Sequence, residues 1–209
     1  MGLGDNYAPS RPSPPIPRRM MNFCSHCGSP QLEIRVPEGD TLPRTVCAAC
    51  GTIHYANPKI VVGCLPEWDC KVLLCKRAIE PRRGLWTLPA GFLENGETLT
   101  AGALRETLEE ANARVDLDEL YTVISLPQIN QVYMMFRSTL RDVEFGPGAE
   151  SLEVRLFDEA EIPWETLAFR TIARTLRNWF LDRKSGSFPL RVSALARRSA
   201  PPPDLTGAA

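Results

Sequence analysis

The alternation of apolar and polar positions predicts that strands and helices follow one another in mixed order. Residues 59–65 and 71–77 are apolar segments, and the polar residues 67–69 between them predict a hairpin. Further apolar segments predict strands near residues 113–125, 130–140 and 151–157. This order predicts an α/β fold, a sandwich in which a mixed sheet lies between helices.

Two segments have the spacing of a helix. Large apolar residues recur at helical intervals in residues 165–182, which predicts a C-terminal helix. A second helix is predicted after Thr98, because threonine is a favoured N-cap residue. At about 100° per residue, Leu104, Leu108 and Ala111 share one face of that helix, and we expect this face to be buried.

The helix after Thr98 also carries three closely spaced carboxylates. Glu106, Glu109 and Glu110 fall within about 100° of one another, on the face opposite the leucines. Hard divalent cations prefer oxygen ligands, so these side chains predict a Mg²⁺ (or Mn²⁺) site for phosphate chemistry. Gly91, in the loop before the helix, allows the backbone to approach a ligand closely. The alternative is a solvated acidic helix face.

Length and charge favour an ordinary globular protein. The 209 residues suit one main domain and a smaller appendage, and the net charge of −1 gives no general attraction to nucleic acid or anionic membrane. The absence of an 18-residue apolar stretch and of an apolar signal region favours a cytoplasmic location, with organelle targeting left open. Proline and arginine predict disorder in residues 1–21 and 191–209, and Met20 or Met21 is an alternative start.

Four of the seven cysteines form two regularly spaced pairs, Cys24 with Cys27 and Cys47 with Cys50. Each pair can chelate one side of a tetrahedral ion, so residues 22–56 are predicted to be a structural Zn²⁺ module. Two disulfides or a redox pair are the alternatives. The main domain is then predicted to span residues 57–190. The other three cysteines, Cys64, Cys70 and Cys75, are expected to be core or hairpin residues.

The charged residues of the predicted helix resemble the signature of a known family. Gly91, Glu97, Arg105 and the three helix glutamates have the spacing of the Nudix box. The chain departs from that box at three packing or capping positions, Thr107, Asn112 and Ala113. The resemblance implies a Nudix fold and a metal-dependent hydrolase acting on phosphorus-containing anhydrides.

The resemblance extends to the zinc-ribbon Nudix hydrolases. Residues 57–65 and 72–77 are similar to the plant plastid FAD and ADP-ribose pyrophosphatase and its bacterial relatives. This similarity implies hydrolysis of FAD (to FMN and AMP) and/or ADP-ribose, by a homodimer. An NADH/NAD-type pyrophosphatase is the alternative, although residues 125–131 lack the Trp and Phe typical of that group. A non-catalytic zinc-ribbon sensor is a third hypothesis, and the retained glutamates argue against it.

The resemblance also implies roles for individual residues. Glu106, Glu109, Glu110 and the backbone of Gly91 are the expected Mg²⁺ or Mn²⁺ ligands. The general base is expected among Glu109, Glu106, Glu150 and Glu153. Glu97 and Arg105 are expected to form an ion pair that holds the loop against the helix. Arg77, Arg82 and Trp86 are weaker candidates for binding substrate, with solvated arginines and a core tryptophan as the alternatives.

Overall fold

The computed structural model describes residues 21–196, and these residues separate into two compact units between Asn57 and Pro58. The predictions for residues 1–20, including a start at Met1 or Met20, and for residues 197–209 lie outside the described range. No helix in the described range is both long enough and apolar enough to cross a membrane.

The first unit is a small antiparallel sheet of three short strands. They are β1 (Leu32–Arg35), β2 (Arg44–Cys47) and β3 (Ile53–His54), in spatial order β1-β2-β3. A tight turn encloses each cysteine pair, and each turn ends at a glycine with positive φ, Gly28 (73°) and Gly51 (75°). Because such a φ favours glycine, these residues let each pair fold back on itself.

The second unit is an α/β domain built on a mixed sheet. Its strands are β4 (Lys59–Trp68), β5 (Lys71–Arg77), β6 (Trp86–Thr87), β7 (Ala90–Phe92), β8 (Val115–Leu126), β9 (Gln131–Leu140), β10 (Ser151–Phe157) and β11 (Arg191–Ala194). The main path is β10-β5-β4-β9-β8-β11, with β6 beside β5 and β7 beside β4. The β4–β9 and β8–β11 pairs are parallel and the other pairs are antiparallel.

One helix packs on each face of this sheet. Helix α1 spans Leu99–Ala111 and helix α2 spans Arg170–Ser185. In β5, Leu74 packs in the cluster with α2 residues, whereas Leu73 packs in the cluster with α1 residues. Successive side chains of a strand point to opposite faces, so the sheet lies between the helices. This arrangement confirms the predicted sandwich with a mixed sheet.

The predicted orientation of α1 is right for Ala111 but wrong for its two leucines. Leu104 and Leu108 are 39% and 52% exposed, whereas Ala103, Thr107 and Ala111 are completely buried. Glu106 and Glu110 are buried as well. Small residues allow the helix to lie close to the sheet, and the Thr107 hydroxyl is satisfied by donating to the Ala103 carbonyl at 2.8 Å. Close packing, rather than hydrophobicity, decides which face is buried.

The prediction of disorder from residue 191 is wrong for the start of that segment. Residues 191–194 form β11, which pairs with β8 and is itself the edge strand of the sheet. Arg191 also pairs with the buried carboxylate of Asp182, which accepts a hydrogen bond from Tyr121 at 2.7 Å. A segment of four residues is too short to show a strand pattern, but an exposed sheet edge supplies the partners for its backbone.

Candidate active site

The first turn and the last residue of α1 fix where its carboxylates lie. Thr98 caps the N-terminus by accepting a hydrogen bond from the Ala101 amide at 3.1 Å. Asn112 ends the helix in the left-handed conformation, with φ 47°. Between these residues the helix packs on β4 and β7, which brings Glu106 and Glu110 next to the backbone of residues 90–91.

A cavity of about 1060 Å³ opens beside α1. It has a carboxylate region, formed by Glu106, Glu109, Glu110 and Glu150, and an apolar region, formed by Leu126, Ile129, Tyr133, Phe169 and Leu195. Both Arg77 and Arg82 line the cavity. A pocket with a large apolar wall and a few converging charged groups is typical of a ligand site, and this one is large enough for a dinucleotide-sized compound.

Two of the helix carboxylates are held out of water. Glu110 is 5% exposed, and burial raises the pKa of its carboxyl to about 8. The Ala90 amide donates to Glu110 Oε2 at 3.0 Å and opposes this rise. Burial also raises the pKa of Glu106. A cation among these side chains would favour their ionised forms.

Gly91 is in direct contact with one of these carboxylates. A Cβ atom at this position would lie 2.3 Å from the Glu106 carboxylate, so any larger residue would displace it. The bare backbone of Gly91 therefore lies beside Glu106, with Glu110 bound to the preceding amide. Clustered carboxylates next to exposed backbone are the donor set that hard divalent cations prefer.

Arg105 organises the charged side of α1. Its guanidinium donates to Glu97 at 2.7 and 3.1 Å, to Glu106 at 2.7 Å and to Glu109 at 3.0 Å. It also donates to the Phe92 carbonyl at 3.2 Å. Glu97 in turn accepts from the Glu94 amide at 2.7 Å. One planar donor group thus ties the loop before the helix to two of the clustered carboxylates.

Glu150 and Glu153, the two predicted acids that follow residue 149, lie in different surroundings. Glu150 lines the cavity, and its charge contributes to the raised pKa of Glu106 and Glu110. Glu153 is not part of the cavity wall, is exposed, and forms an ion pair with Lys76 at 3.5 Å. Glu150 lies in the loop just before β10, whereas Glu153 lies within that strand, where a register shift follows Ser151.

Of the three weaker candidates, Trp86 does not reach the cavity. It is buried against Phe157, with an edge-to-face ring contact of 4.8 Å between centroids. Trp86 therefore packs in the hydrophobic core, as the alternative interpretation predicts, and lies outside the cavity wall. Arg77 lies over the Phe169 ring at 5.2 Å and donates to the Pro81 carbonyl at 3.0 Å. Arg82 follows Pro81 in the loop after β5 and has a positive φ of 73°.

The C-terminal part of the chain contributes an apolar wall to the cavity that its sequence does not predict. Phe169 precedes α2 and lies 6.4 Å from Tyr133 between ring centroids. Leu195 follows β11 and is almost completely buried. An isolated Phe or Leu in a polar segment carries no signal of a cavity, so only the tertiary fold reveals these residues.

The four paired cysteines of the first unit come together. One sulfur from each of Cys24, Cys27, Cys47 and Cys50 lies within 4.8 Å of the others. The Sγ–Sγ distances of 3.7 Å (Cys24–Cys50) and 3.6 Å (Cys27–Cys47) exceed a disulfide bond by far. Four converging thiols are the donor set of a structural zinc site.

Family models match both units. The model described as the Nudix N-terminal zinc ribbon matches residues 22–56, and the model described as the NUDIX domain matches residues 57–180. A crystal structure of a NUDIX hydrolase from Nitrosomonas europaea is 60% identical, with a TM-score of 0.81, over 85% of this chain and 100% of that chain.

Curated relatives carry two kinds of name. An ADP-ribose pyrophosphatase from Methanocaldococcus jannaschii is 29% identical over 60% of this chain and 76% of that protein. An NAD-capped RNA hydrolase from Edwardsiella ictaluri is 35% identical over 50% of this chain, but the match spans only 38% of that longer protein. The NUDIX match covers more than half of the chain, and the box carboxylates lie together in a cavity of the matched domain. This chain therefore belongs to the Nudix hydrolase family and carries a zinc-ribbon module at its N-terminal side.

Proposed function

We propose that this chain hydrolyses the diphosphate linkage of nucleoside-diphosphate-linked compounds, with ADP-ribose and FAD as the leading substrates. Water is added across the P–O–P bond, so ADP-ribose gives AMP and ribose 5-phosphate, and FAD gives FMN and AMP. One observation carries the proposal: a single cavity combines clustered carboxylates, arginines and an apolar aromatic wall. The carboxylates suit a metal cation, the arginines suit the diphosphate of such a substrate, and the apolar wall suits its ring system.

The carboxylate region suits a hard divalent cation, Mg²⁺ or Mn²⁺. Glu106, Glu109 and Glu110, with the backbone at Gly91, are the proposed ligands. When bound, such an ion neutralises phosphate charge and lowers the pKa of a bound water. The Ala90 amide fixes one oxygen of Glu110, and Arg105 orients Glu106 and Glu109.

Two carboxylates are proposed as alternatives for the general base. Glu109 and Glu150 both line the cavity and are more exposed than Glu106 and Glu110. A base must remain within hydrogen-bond reach of the attacking water and accept its proton. Glu153 is a poorer candidate because it lies outside the cavity wall, in an ion pair with Lys76.

Arg77 is proposed to bind the diphosphate between the two regions of the cavity. Burial raises the pKa of both Glu110 and Tyr133, and the positive charge of Arg77 offsets part of that rise. The Arg77 guanidinium also lies over the Phe169 ring. A diphosphate beside Arg77 would therefore extend its adjoining nucleoside toward Tyr133 and Phe169. Stacking on these rings would favour a planar base.

An NADH/NAD-type pyrophosphatase is the second candidate. The relatives named as NAD-capped RNA hydrolases favour it, and they are 32% and 35% identical to this chain over 46% and 50% of its length. All of these substrates share the nucleoside diphosphate that the cavity would bind. Assembly as a homodimer remains a prediction, which light scattering of the purified protein can test.

The experiment compares turnover of ADP-ribose, FAD and NADH with Mg²⁺ or Mn²⁺, by specificity constant. We expect hydrolysis that stops when the metal is chelated, with AMP as a common product. A preference for NADH of more than about tenfold, a difference of about 1.4 kcal/mol in transition-state stabilisation, would favour the second candidate. No turnover of any of the three with either metal would contradict the proposal.

A further inference from the structure

Asn112 stands where the Nudix box has its second glycine, and its side chain makes contacts that a glycine lacks. The residue adopts the left-handed conformation at the end of α1, with φ 47°. Its side-chain amide donates to the Gly146 carbonyl at 3.3 Å and to the Pro147 carbonyl at 3.1 Å. These bonds join the end of the carboxylate helix to a loop that is distant in sequence.

The same loop is docked on the helix through its backbone. The Gly146 amide donates to the Ala111 carbonyl at 2.9 Å, and the Gly148 amide donates to the Glu110 carbonyl at 3.1 Å. A Cβ atom at Gly148 would lie 1.7 Å from the Glu109 carbonyl oxygen, so the contact has no room for a side chain. The loop thus satisfies carbonyls that the helix C-terminus leaves unpaired.

This loop leads directly to Glu150, which lines the cavity opposite the helix carboxylates. The Glu150 carbonyl accepts a hydrogen bond from the Ala78 amide at 2.7 Å, and the Ser151 amide donates to Gly148 at 3.1 Å. Glu150 is therefore anchored on one side by the backbone of Ala78, directly after β5. On the other side it is anchored by the docked residues 146–148. On the loop side, the two bonds from Asn112 are the side-chain component of that anchor.

We propose that Asn112 is a positioning residue, which fixes Glu150 relative to the carboxylates of α1 by holding residues 146–148 against the helix end. The inference rests on the proposed function, because it assigns Glu150 a part in that reaction. In a protein with glycine at position 112, the backbone bonds of Gly146 and Gly148 would have to hold the loop alone. Asn112, which replaces the second glycine of the family box, thus has a structural role that glycine could not fill.

Two substitutions of Asn112 separate the contribution of its side-chain amide from that of its left-handed backbone conformation. Asn112→Gly keeps the left-handed conformation and removes the side chain, and glycine is favoured at this position, so folding should be retained. Asn112→Asp keeps the size of the side chain but replaces the amide donor with a carboxylate that only accepts. Asn130→Gly is the matched control, because Asn130 also has a left-handed φ (51°) and its side chain has no hydrogen bond among the described residues.

The first readout is amide hydrogen exchange in metal-free protein. Both Asn112 variants should speed exchange at Gly146 and Gly148 by about fivefold, the effect of losing one ordinary hydrogen bond. Asn130→Gly should leave those two amides unchanged. Equal exchange in wild-type protein and both Asn112 variants would overturn the proposal, and this readout is independent of whether any substrate is turned over.

The second readout is a double-mutant cycle with Glu150→Gln, measured as kcat/KM for the substrate that the protein turns over best. Asn112→Gly should lower kcat/KM by about fivefold in the wild-type background and have little further effect beside Glu150→Gln. An equal loss in both backgrounds would overturn the role through Glu150. If no substrate is turned over, the proposed function fails, and faster exchange at Gly146 and Gly148 would support the anchoring of the loop by itself.

Discussion

Glu110 is nearly inaccessible to water, although a carboxylate in such a place loses most of its hydration. Burial is the largest cause that raises its pKa, and the Ala90 amide offsets only part of that effect. The neighbouring charges of Glu106 and Glu150 raise the pKa further. A side chain kept in this environment costs folding free energy, which is a frequent property of residues retained for function.

Replacing Glu110 with Gln should abolish turnover while leaving the fold intact. We expect kcat to fall by about 100-fold or more, since a metal ligand and a fixed charge are lost together. Turnover, metal affinity and thermal unfolding should be measured beside Glu119→Gln, an exposed glutamate on β8. Near-normal activity in the Glu110 variant would refute the metal assignment.

The pH dependence of stability should reveal the buried carboxylates in metal-free protein. Because the pKa of Glu110 is raised from 4.5 to about 8 on folding, the folded state holds the proton more tightly than the unfolded chain. The free energy of unfolding should therefore fall as pH rises from 4.5 to about 8. Urea unfolding with a chelator present measures this slope. A Glu110→Gln variant with the same slope as wild type would contradict the assignment.

At the residue scale, the spacing of the box carboxylates along the chain is enough to predict that they lie close together. It could not distinguish Glu150 from Glu153, because the two lie three residues apart and only the tertiary fold places Glu150 in the cavity wall. Nor could it distinguish a core tryptophan from a stacking one, since both roles favour the same side chain. Trp86 was resolved only by its packing against Phe157.

At the element scale, α1 shows why a helical wheel can identify a helix and still misplace it. The helical wheel predicts a buried face of Leu104, Leu108 and Ala111, but only Ala111 is buried and both leucines are exposed. The helix instead packs through small residues such as Gly102 and Ala103, since they allow a close approach to the sheet. The helix and its N-cap at Thr98 follow from the sequence, whereas the distance between the layers does not.

This packing predicts effects of very different size on stability for two substitutions on α1. Leu108→Gln should change the free energy of unfolding by no more than about 0.5 kcal/mol, as expected of an exposed site. Ala103→Leu should destabilise the protein by about 1–3 kcal/mol, because it overfills a completely buried position. Denaturant unfolding of both variants tests the observed orientation. The reverse ranking would restore the orientation predicted from sequence.

At the scale of the whole molecule, the two units depend on different sources of stability. The second unit has large apolar clusters on both faces of its sheet. The first unit has little buried apolar surface in comparison, chiefly Val46 and the buried cysteines Cys24 and Cys47. A unit of that size ordinarily obtains its folding free energy from a bound metal.

Removal of zinc should therefore unfold the first unit selectively. We expect Cys24→Ser, or a strong chelator, to release one Zn²⁺ and to broaden the NMR signals of residues 22–56, while signals of the core around Trp179 persist. Cys70→Ser is the control, since this exposed cysteine lies outside the cluster. A protein that contains no zinc and is nevertheless folded throughout residues 22–56 would contradict the zinc-ribbon assignment.

The position of β11 has a consequence for shortened versions of this chain. The family match ends at residue 180, yet Leu195 forms part of the cavity wall and β11 completes the edge of the sheet. A fragment cut at the end of the family match would keep the box carboxylates but lose β11 and the part of the apolar wall that Leu195 supplies. The boundary of the family match is therefore not the boundary of a complete cavity.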